Sequence, residues 1–215
     1  MAVLRKGLND GYVGKIGNTV TYELNGEMVK RTIGIYDDPK TIPQLSVRQV
    51  TSVTSAFLIP VHDFITIGFD LEAKKTRKGA YNIASSYNRL NAITGKYPNQ
   101  NIDFTKVLFS RGKMPIIPKP SVTLTKNKLA FTWDTDFTAN GIKPTDRVML
   151  IAYLPERHRA VCLISGAKRT AGVEYLSIPR SKKPMIIETY ISFISETHKS
   201  ISTSLYVGQV LSQIE

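Results

Sequence analysis

Gly7, Gly11, Gly14 and Gly17 cluster around Lys15 near the start of the chain and invite a test for phosphate binding. A phosphate-cradling loop needs two glycines with four residues between them, then Lys and Ser or Thr, so that amides hold phosphate and a hydroxyl holds magnesium. Here Gly14-Lys15 is followed by Ile16, and Asn9 stands where the first glycine is required. The dinucleotide fingerprint fails too, because Gly11, Gly14 and Gly17 are evenly spaced and lead toward a hairpin rather than a helix. His62, His158 and His198 are scattered without metal-ligand spacing, although His62 with Asp63 could form a local acid-base pair. Ser165 in "LISGA" lacks the flanking residues of a nucleophile elbow. Asp134, Asp136 and Asp146 around "DTDFTANGIKPTD" offer oxygen ligands for a hard cation such as calcium, but not in EF-hand order. A solvated loop with an Asn140-Gly141 turn is the simpler reading. Cys162, the only cysteine, excludes an intramolecular disulfide and a cysteine zinc site, and within "AVCLI" it reads as a small buried hydrophobe. The expectation is a protein without catalytic residues, cofactor or metal, and not an enzyme.

Charge is the stronger signal. Twenty-nine lysines and arginines against 17 acidic residues give +12, which favours nucleic acid, an anionic membrane surface or an acidic protein face. Residues 1–120 hold 17 basic and 9 acidic residues, and residues 121–215 hold 12 and 8, so the first half carries most of the excess. Candidate anion or nucleic-acid contacts are Arg5, Lys6, Lys15, Lys30 and Arg31 in the N-terminal arm, and Lys74, Lys75, Arg77 and Lys78 in "KKTRK". The alternative is that these charges only keep the surface soluble. No helix-turn-helix, zinc-finger or RNP-like signature accompanies them, so sequence-specific readout is not expected.

The elements that must position these residues fall into two groups. Val20, Tyr22 and Leu24 alternate with Thr19, Thr21 and Glu23 before Asn25-Gly26, the pair best suited to positive φ at both centres of a type I′ turn. That loop pairs Leu24 with Glu27, Tyr22 with Val29 and Val20 with Arg31. Val20, Tyr22, Leu24, Val29 and Arg31 then share a packing or assembly face, and Lys30 points the other way. After "YDDPKTIPQL", Ser46 and Gln49 suggest a capping box, followed by Val47, Val50, Val53, Phe57 and Leu58 at helical spacing. Pro60 should kink this helix before Gly68 ends it. A second helix is expected from Ala80 to Ile93 with a stripe of Tyr81, Ala84, Tyr87 and Leu90, and residues 102–110 read as a strand.

"KMPIIPKP", residues 113–120, interrupts both periodicities and marks the expected boundary between domains 1–118 and 119–215. Seven strands follow, beginning at residues 121, 128, 147, 160, 173, 185 and 202. The expected class is α+β: an N-terminal β-hairpin with two or three helices, then a seven-stranded antiparallel β-sandwich of fibronectin or immunoglobulin type. Trp133 and Tyr190 are placed like the buried aromatics of fibronectin type III domains, which this half resembles, and are the expected sandwich core.

The whole chain resembles an uncharacterised family of bacterial proteins, mostly from Bacteroidota. The resemblance rests on "GYVGKIGNTVTY", "NGEMVKRT", "SVRQVTSVTSAFLIPV", "IDFTKVLFSRG" and "SISTSLYVGQV". It implies a hairpin-and-helix front half joined to a fibronectin-like back half, and brings no activity. With no apolar signal region and no run approaching about 20 apolar residues, neither secretion nor a membrane span is expected. The expected location is the cytoplasm, with release inside a virion or other particle as an alternative. The expected role is structural or assembly work through other protein subunits, as a homo-oligomer or larger assembly. Non-specific nucleic-acid binding and carbohydrate or surface adhesion are the alternatives.

Overall fold

The computed structural model describes residues 3–4, 12–35, 37–116, 119–135, 141–181 and 183–212. Arg5, Lys6 and Asp136, and the Asn140 of the expected turn, lie outside the described residues. The fold is α+β and divides into two compact units, Met1–Thr41 and Ile42–Glu215.

The first unit is a sheet of four strands in chain order, β1 (Val3–Leu4), β2 (Tyr12–Ile16), β3 (Thr19–Leu24) and β4 (Glu27–Thr32), antiparallel throughout. Asn25 and Gly26 take φ of 53° and 82°, the left-handed pair that a two-residue turn between twisted strands requires. The register follows: Val20 faces Arg31, Tyr22 faces Val29 and Leu24 faces Glu27, while Thr21 faces Lys30. Lys15 faces Val20 from the other side, so Lys15 and Arg31 flank one valine on one face. Val20, Tyr22 and Val29 are half-buried, but Leu24 is 52% exposed. None of the side chains described between residues 12 and 41 is buried.

The second unit opens with α1 (Ile42–Leu58), a 3-10 turn at Ile59–Val61 and α2 (His62–Gly68). Pro60 produces that turn because it has no amide to donate to the helical ladder. A short α3 (Asp70–Ala73) and α4 (Ala80–Asn91) complete the helices. β5 (Ile93–Thr94) pairs with β6 (Asn101–Ile102). Seven longer strands follow: β7 (Ser121–Thr125), β8 (Lys128–Thr132), β9 (Arg147–Leu154), β10 (Arg159–Leu163), β11 (Val173–Ser177), β12 (Met185–Ile194) and β13 (Leu205–Ser212). They form two antiparallel sheets, ordered β10-β9-β12-β13 and β11-β8-β7.

Two cores lie on opposite faces of the four-stranded sheet. Alternate residues Val148, Leu150, Ile187, Ile191 and Phe193 pack with Leu129, Phe131, Trp133 and Leu176 of the three-stranded side. The intervening residues Met149, Ile151, Tyr153, Tyr190 and Ile194 pack with Phe57, Leu58, Phe64, Ile65 and Phe109 of the helical side. A strand covered on both faces has no polar alternation to show, which is why β9 reads "RVMLIAYL".

This parity corrects the expectation for Tyr190. Trp133 lies in the core between the sheets, but Tyr190 points to the helical side, its ring 4.7 Å from Phe109 and its hydroxyl donating to the Phe104 carbonyl at 2.8 Å. The expected boundary after residue 118 falls inside the second unit, where helices before it and strands after it share a core.

Other local expectations change as well. α1 begins four residues before Ser46, because Pro43 is tolerated in a first turn whose amides have no helical partner. Ser46 is therefore not a cap. It accepts from Gln100 Nε2 at 3.0 Å, and Gln49 donates to the Pro98 carbonyl. On α4 the buried positions are Ala84 and Asn88, and Leu90 is 81% exposed because six residues beyond Ala84 is the far side of a helix. Residues 102–110 do not form one strand. Asp103 caps a 3-10 turn at Phe104–Lys106, and side chains of Asn88 and Ser204 then take the amides of Leu108 and Phe109.

The run Ile42–Gly68 is long and apolar enough, by length and composition, to cross a membrane, contrary to the expectation of no such segment. Its residues Phe57, Leu58, Val61, Phe64 and Ile65 are packed in the core, while Ile42, Val47 and Ile59 are exposed along with Arg48, His62 and Asp63.

Candidate functional site

Three separate stretches of the second unit bring cations to one cleft of about 500 Å³. Lys75 comes from the loop after α3, Arg111 and Lys113 from the extended segment before β7, and Lys199 from the turn between β12 and β13. α3 carries Asp70 and Glu72 at its start, where the helix dipole favours negative charge. Lys74 is engaged by Asp70 at 2.5 Å, one helical turn back. The next residue, Lys75, is turned into the cleft, whereas Arg77 and Lys78 are exposed outside its lining.

The other two stretches are held by backbone. The Arg111 amide donates to the Gly68 carbonyl at 3.1 Å, and the Met114 amide to the Ile201 carbonyl at 3.0 Å. Between them, a Cβ on Gly112 would stand 1.9 Å from the Ile201 carbonyl oxygen, so only glycine lets the two stretches approach this closely. On the far side, Ser195 Oγ accepts from the amides of Lys199 and Ser200 at 3.1 and 3.0 Å. The cations therefore project from a tied framework rather than from a free loop.

Arg111 is itself positioned. Its Nη1 lies 3.3 Å from Glu72 Oε1, and its guanidinium carbon sits 4.9 Å from the centre of the Tyr87 ring. Glu72 is the single carboxylate lining the cleft, against four cations. Lys75, Lys113 and Lys199 have no acidic partner within 4 Å among the described residues. A cleft of similar volume between α1 and α4, about 530 Å³, contains one cation, Arg89.

The remaining expected site residues are dispersed. Lys15 and Arg31 share a face of the N-terminal sheet while Lys30 lies on the other, and the Arg31 guanidinium carbon is 6.0 Å from the Tyr22 ring centre. Asp146 is occupied in another way: its Oδ2 meets Arg169 Nη1 at 3.4 Å, both side chains being fully buried. That guanidinium also donates to the Pro115 carbonyl at 2.9 Å and lies 4.2 Å from the Phe193 ring centre. A cation at Asp146 would have to displace this arginine, and Asp134 is exposed. No group of three or more metal-ligating side chains occurs among the described residues. His62 stands 3.6 Å from Asp63 with both exposed. Burial, with a smaller contribution from the Asp63 charge, pushes the Cys162 thiol up to about 12, the state of an inert packing residue rather than of a nucleophile.

Arg111, Lys113 and Lys199 are the residues that sequence reading missed. They carry no local charge run, and the one signal was Gly112 standing between two cations. Residues 11–208 match a family of unknown function, DUF6266. The chain belongs to this family. The match spans the hairpin, the helices, six of the seven later strands and the first half of β13, in line with an uncharacterised family covering nearly the whole chain, and it assigns no role to any residue. No curated protein and no solved structure matches the chain.

Proposed function

We propose that this DUF6266 protein is a non-enzymatic structural or assembly protein of bacterial origin, acting through protein-protein contacts as a component of a virion or other large particle. One observation carries the reading: a four-stranded sheet in which no described side chain of residues 12–41 is buried, and whose last strand, β4, pairs with no further strand among the described residues. Sheets of this size normally need a covered apolar face, and unpaired edges recruit further strands. The occupant we assign to the β4 edge is a second copy of this chain. Antiparallel pairing about Val29 sets Val29 against its own copy and Glu27 against Arg31 twice, a self-complementary two-fold arrangement. We read the sheets β11-β8-β7 and β10-β9-β12-β13 as the halves of a seven-stranded fibronectin type III-like sandwich, a module suited to contact rather than catalysis. Their common core around Trp133 and Phe193 supports that reading.

Sedimentation velocity over a range of protein concentrations tests the assembly. The wild-type chain should self-associate, Glu27→Arg and Arg31→Glu should each abolish association by setting like charges opposite, and the double variant should restore it. A wild-type monomer at every concentration, or single variants that associate unchanged, would overturn the proposal.

A further inference from the structure

We propose that the cleft formed by Lys75, Arg111, Lys113 and Lys199 is a binding site for a phosphate group. Four cations converge from three stretches far apart in the chain on about 500 Å³, the size of a small-ligand site, and face one carboxylate. Elsewhere among the described residues the structure pairs two lysines with carboxylates, Lys74 with Asp70 and Lys106 with Asp103, and leaves others, such as Lys15, Lys96 and Lys128, exposed and spread apart without an ion pair. Here it gathers three lysines without an acidic partner, and a bound anion would relieve their mutual repulsion. The one carboxylate present, Glu72, does not neutralise the site so much as orient it, by holding Arg111 against Tyr87.

The geometry favours phosphate over carboxylate. A carboxylate offers two oxygens in one plane, which a single arginine fork satisfies. Donors from the α3 loop, the Arg111–Lys113 segment and the Lys199 turn line the cleft together, and a tetrahedral group with several charged oxygens can accept from more of them than a planar one. The framework needs no rearrangement to do so, since the Gly112–Ile201 approach already joins two of the three stretches. Two sources of phosphate fit: a small phosphate-bearing molecule contained in the cleft, or the backbone of a single-stranded nucleic acid that continues from Lys75 onto exposed Arg77 and Lys78.

The test uses the full chain and two probes. Inorganic pyrophosphate is titrated by calorimetry against sodium chloride of equal ionic strength, and a fluorescent single-stranded oligothymidine is titrated by polarisation at several salt concentrations. Lys113→Glu and Lys199→Glu should each weaken binding at least tenfold. Lys113→Gln should weaken it less, and Lys128→Glu, on an exposed strand position outside the cleft, should leave it unchanged. If the oligonucleotide binds, each lost cation should also lower the log-log salt slope by about 0.7. Cleft-dependent binding of pyrophosphate alone assigns a small ligand, and cleft-dependent binding of the oligonucleotide assigns a strand. Absence of binding to both probes, or binding that the Lys113 and Lys199 variants leave intact, overturns the site. These variants leave residues 12–32 untouched, so this outcome is independent of self-association through β4.

Discussion

The chain builds two four-stranded antiparallel sheets and surrounds them differently. In β10-β9-β12-β13 the two central strands are covered on both faces, by helices and by a second sheet, and nearly every residue of β9 and β12 is buried. In β1-β2-β3-β4 the pairing is equally regular, yet no described side chain of residues 12–41 is buried. Hydrogen-bond pairing and burial are thus separate achievements here. The first is set by the turn and by strand alternation, and the second by what other elements bring to each face. Stability should accordingly be concentrated in the second sheet and its two cores.

The largest test of this contrast is the buried pair beneath the three-stranded sheet. Arg169→Ala would leave the fully buried Asp146 carboxylate without its counter-charge, and should cost about 3–5 kcal/mol in urea unfolding. Burial already lowers the Arg169 pKa against the pull of Asp146, so desolvation is being resisted by that one partner. A loss below about 1 kcal/mol, the range of an exposed pair, would mean that this core is not as dry as the burial implies.

Next in size is Gly112→Ala, which forces a methyl against the Ile201 carbonyl and should cost about 1–3 kcal/mol. The same variant should weaken anion binding although it removes no charge, and unchanged stability with unchanged binding would show that the two stretches can part freely.

Alkaline pH supplies a graded test. Burial raises the Tyr153 hydroxyl from 10.0 to about 12 and the Cys162 thiol from 9.0 to about 12, and raises Tyr190 and Tyr206 as well. The folded state holds these protons more tightly, so their contribution is fully present below about pH 9 and is lost as pH rises toward 12. Urea midpoints should be level at pH 8 and fall progressively above pH 9; a flat profile to pH 11 would contradict the burial of all four groups.

The smallest effect should come from the first sheet. Val20→Ala, at a half-buried position, should change the unfolding of the second unit by less than about 0.5 kcal/mol, while Trp133→Ala in the core between the two later sheets should cost about 3–5 kcal/mol. Equal losses would mean that the two sheets are energetically one.

What could be read in the sequence follows the range over which each signal acts. The register of β3 and β4 was legible from Asn25-Gly26 and six alternating residues, because a two-residue turn admits one alignment. The seven later strands were legible from their apolar content. The partner of Tyr190 was not, since a strand buried on both faces loses the alternation that would tell inward from outward. The capping box at Ser46 matched a local pattern and failed because Pro43 lets the helix start earlier, leaving Ser46 and Gln49 to bind residues 98–100. Of the cleft, only Lys75 lay in a visible charge run. Arg111, Lys113 and Lys199 meet it through contacts between stretches roughly 40 to 125 residues apart in the numbering, and no local pattern encodes those contacts.

That seam between residues 109–114 and 201–204 has a consequence for how the molecule is made. The Phe109 and Ser110 amides bond Ser204, the Met114 amide bonds Ile201, and Gly112 exchanges hydrogen bonds with Thr203, all across more than 85 residues of intervening chain. Closing such a loop comes late, after entropy has been spent that no nearby contact returns. During synthesis Lys75, Arg111 and Lys113 leave the ribosome long before Lys199 and Ile201, so the nascent chain carries the cations but not the cleft. Anion binding by this route would arise only once the second unit is nearly all synthesised, which separates a finished molecule from an unfinished one by what it can hold.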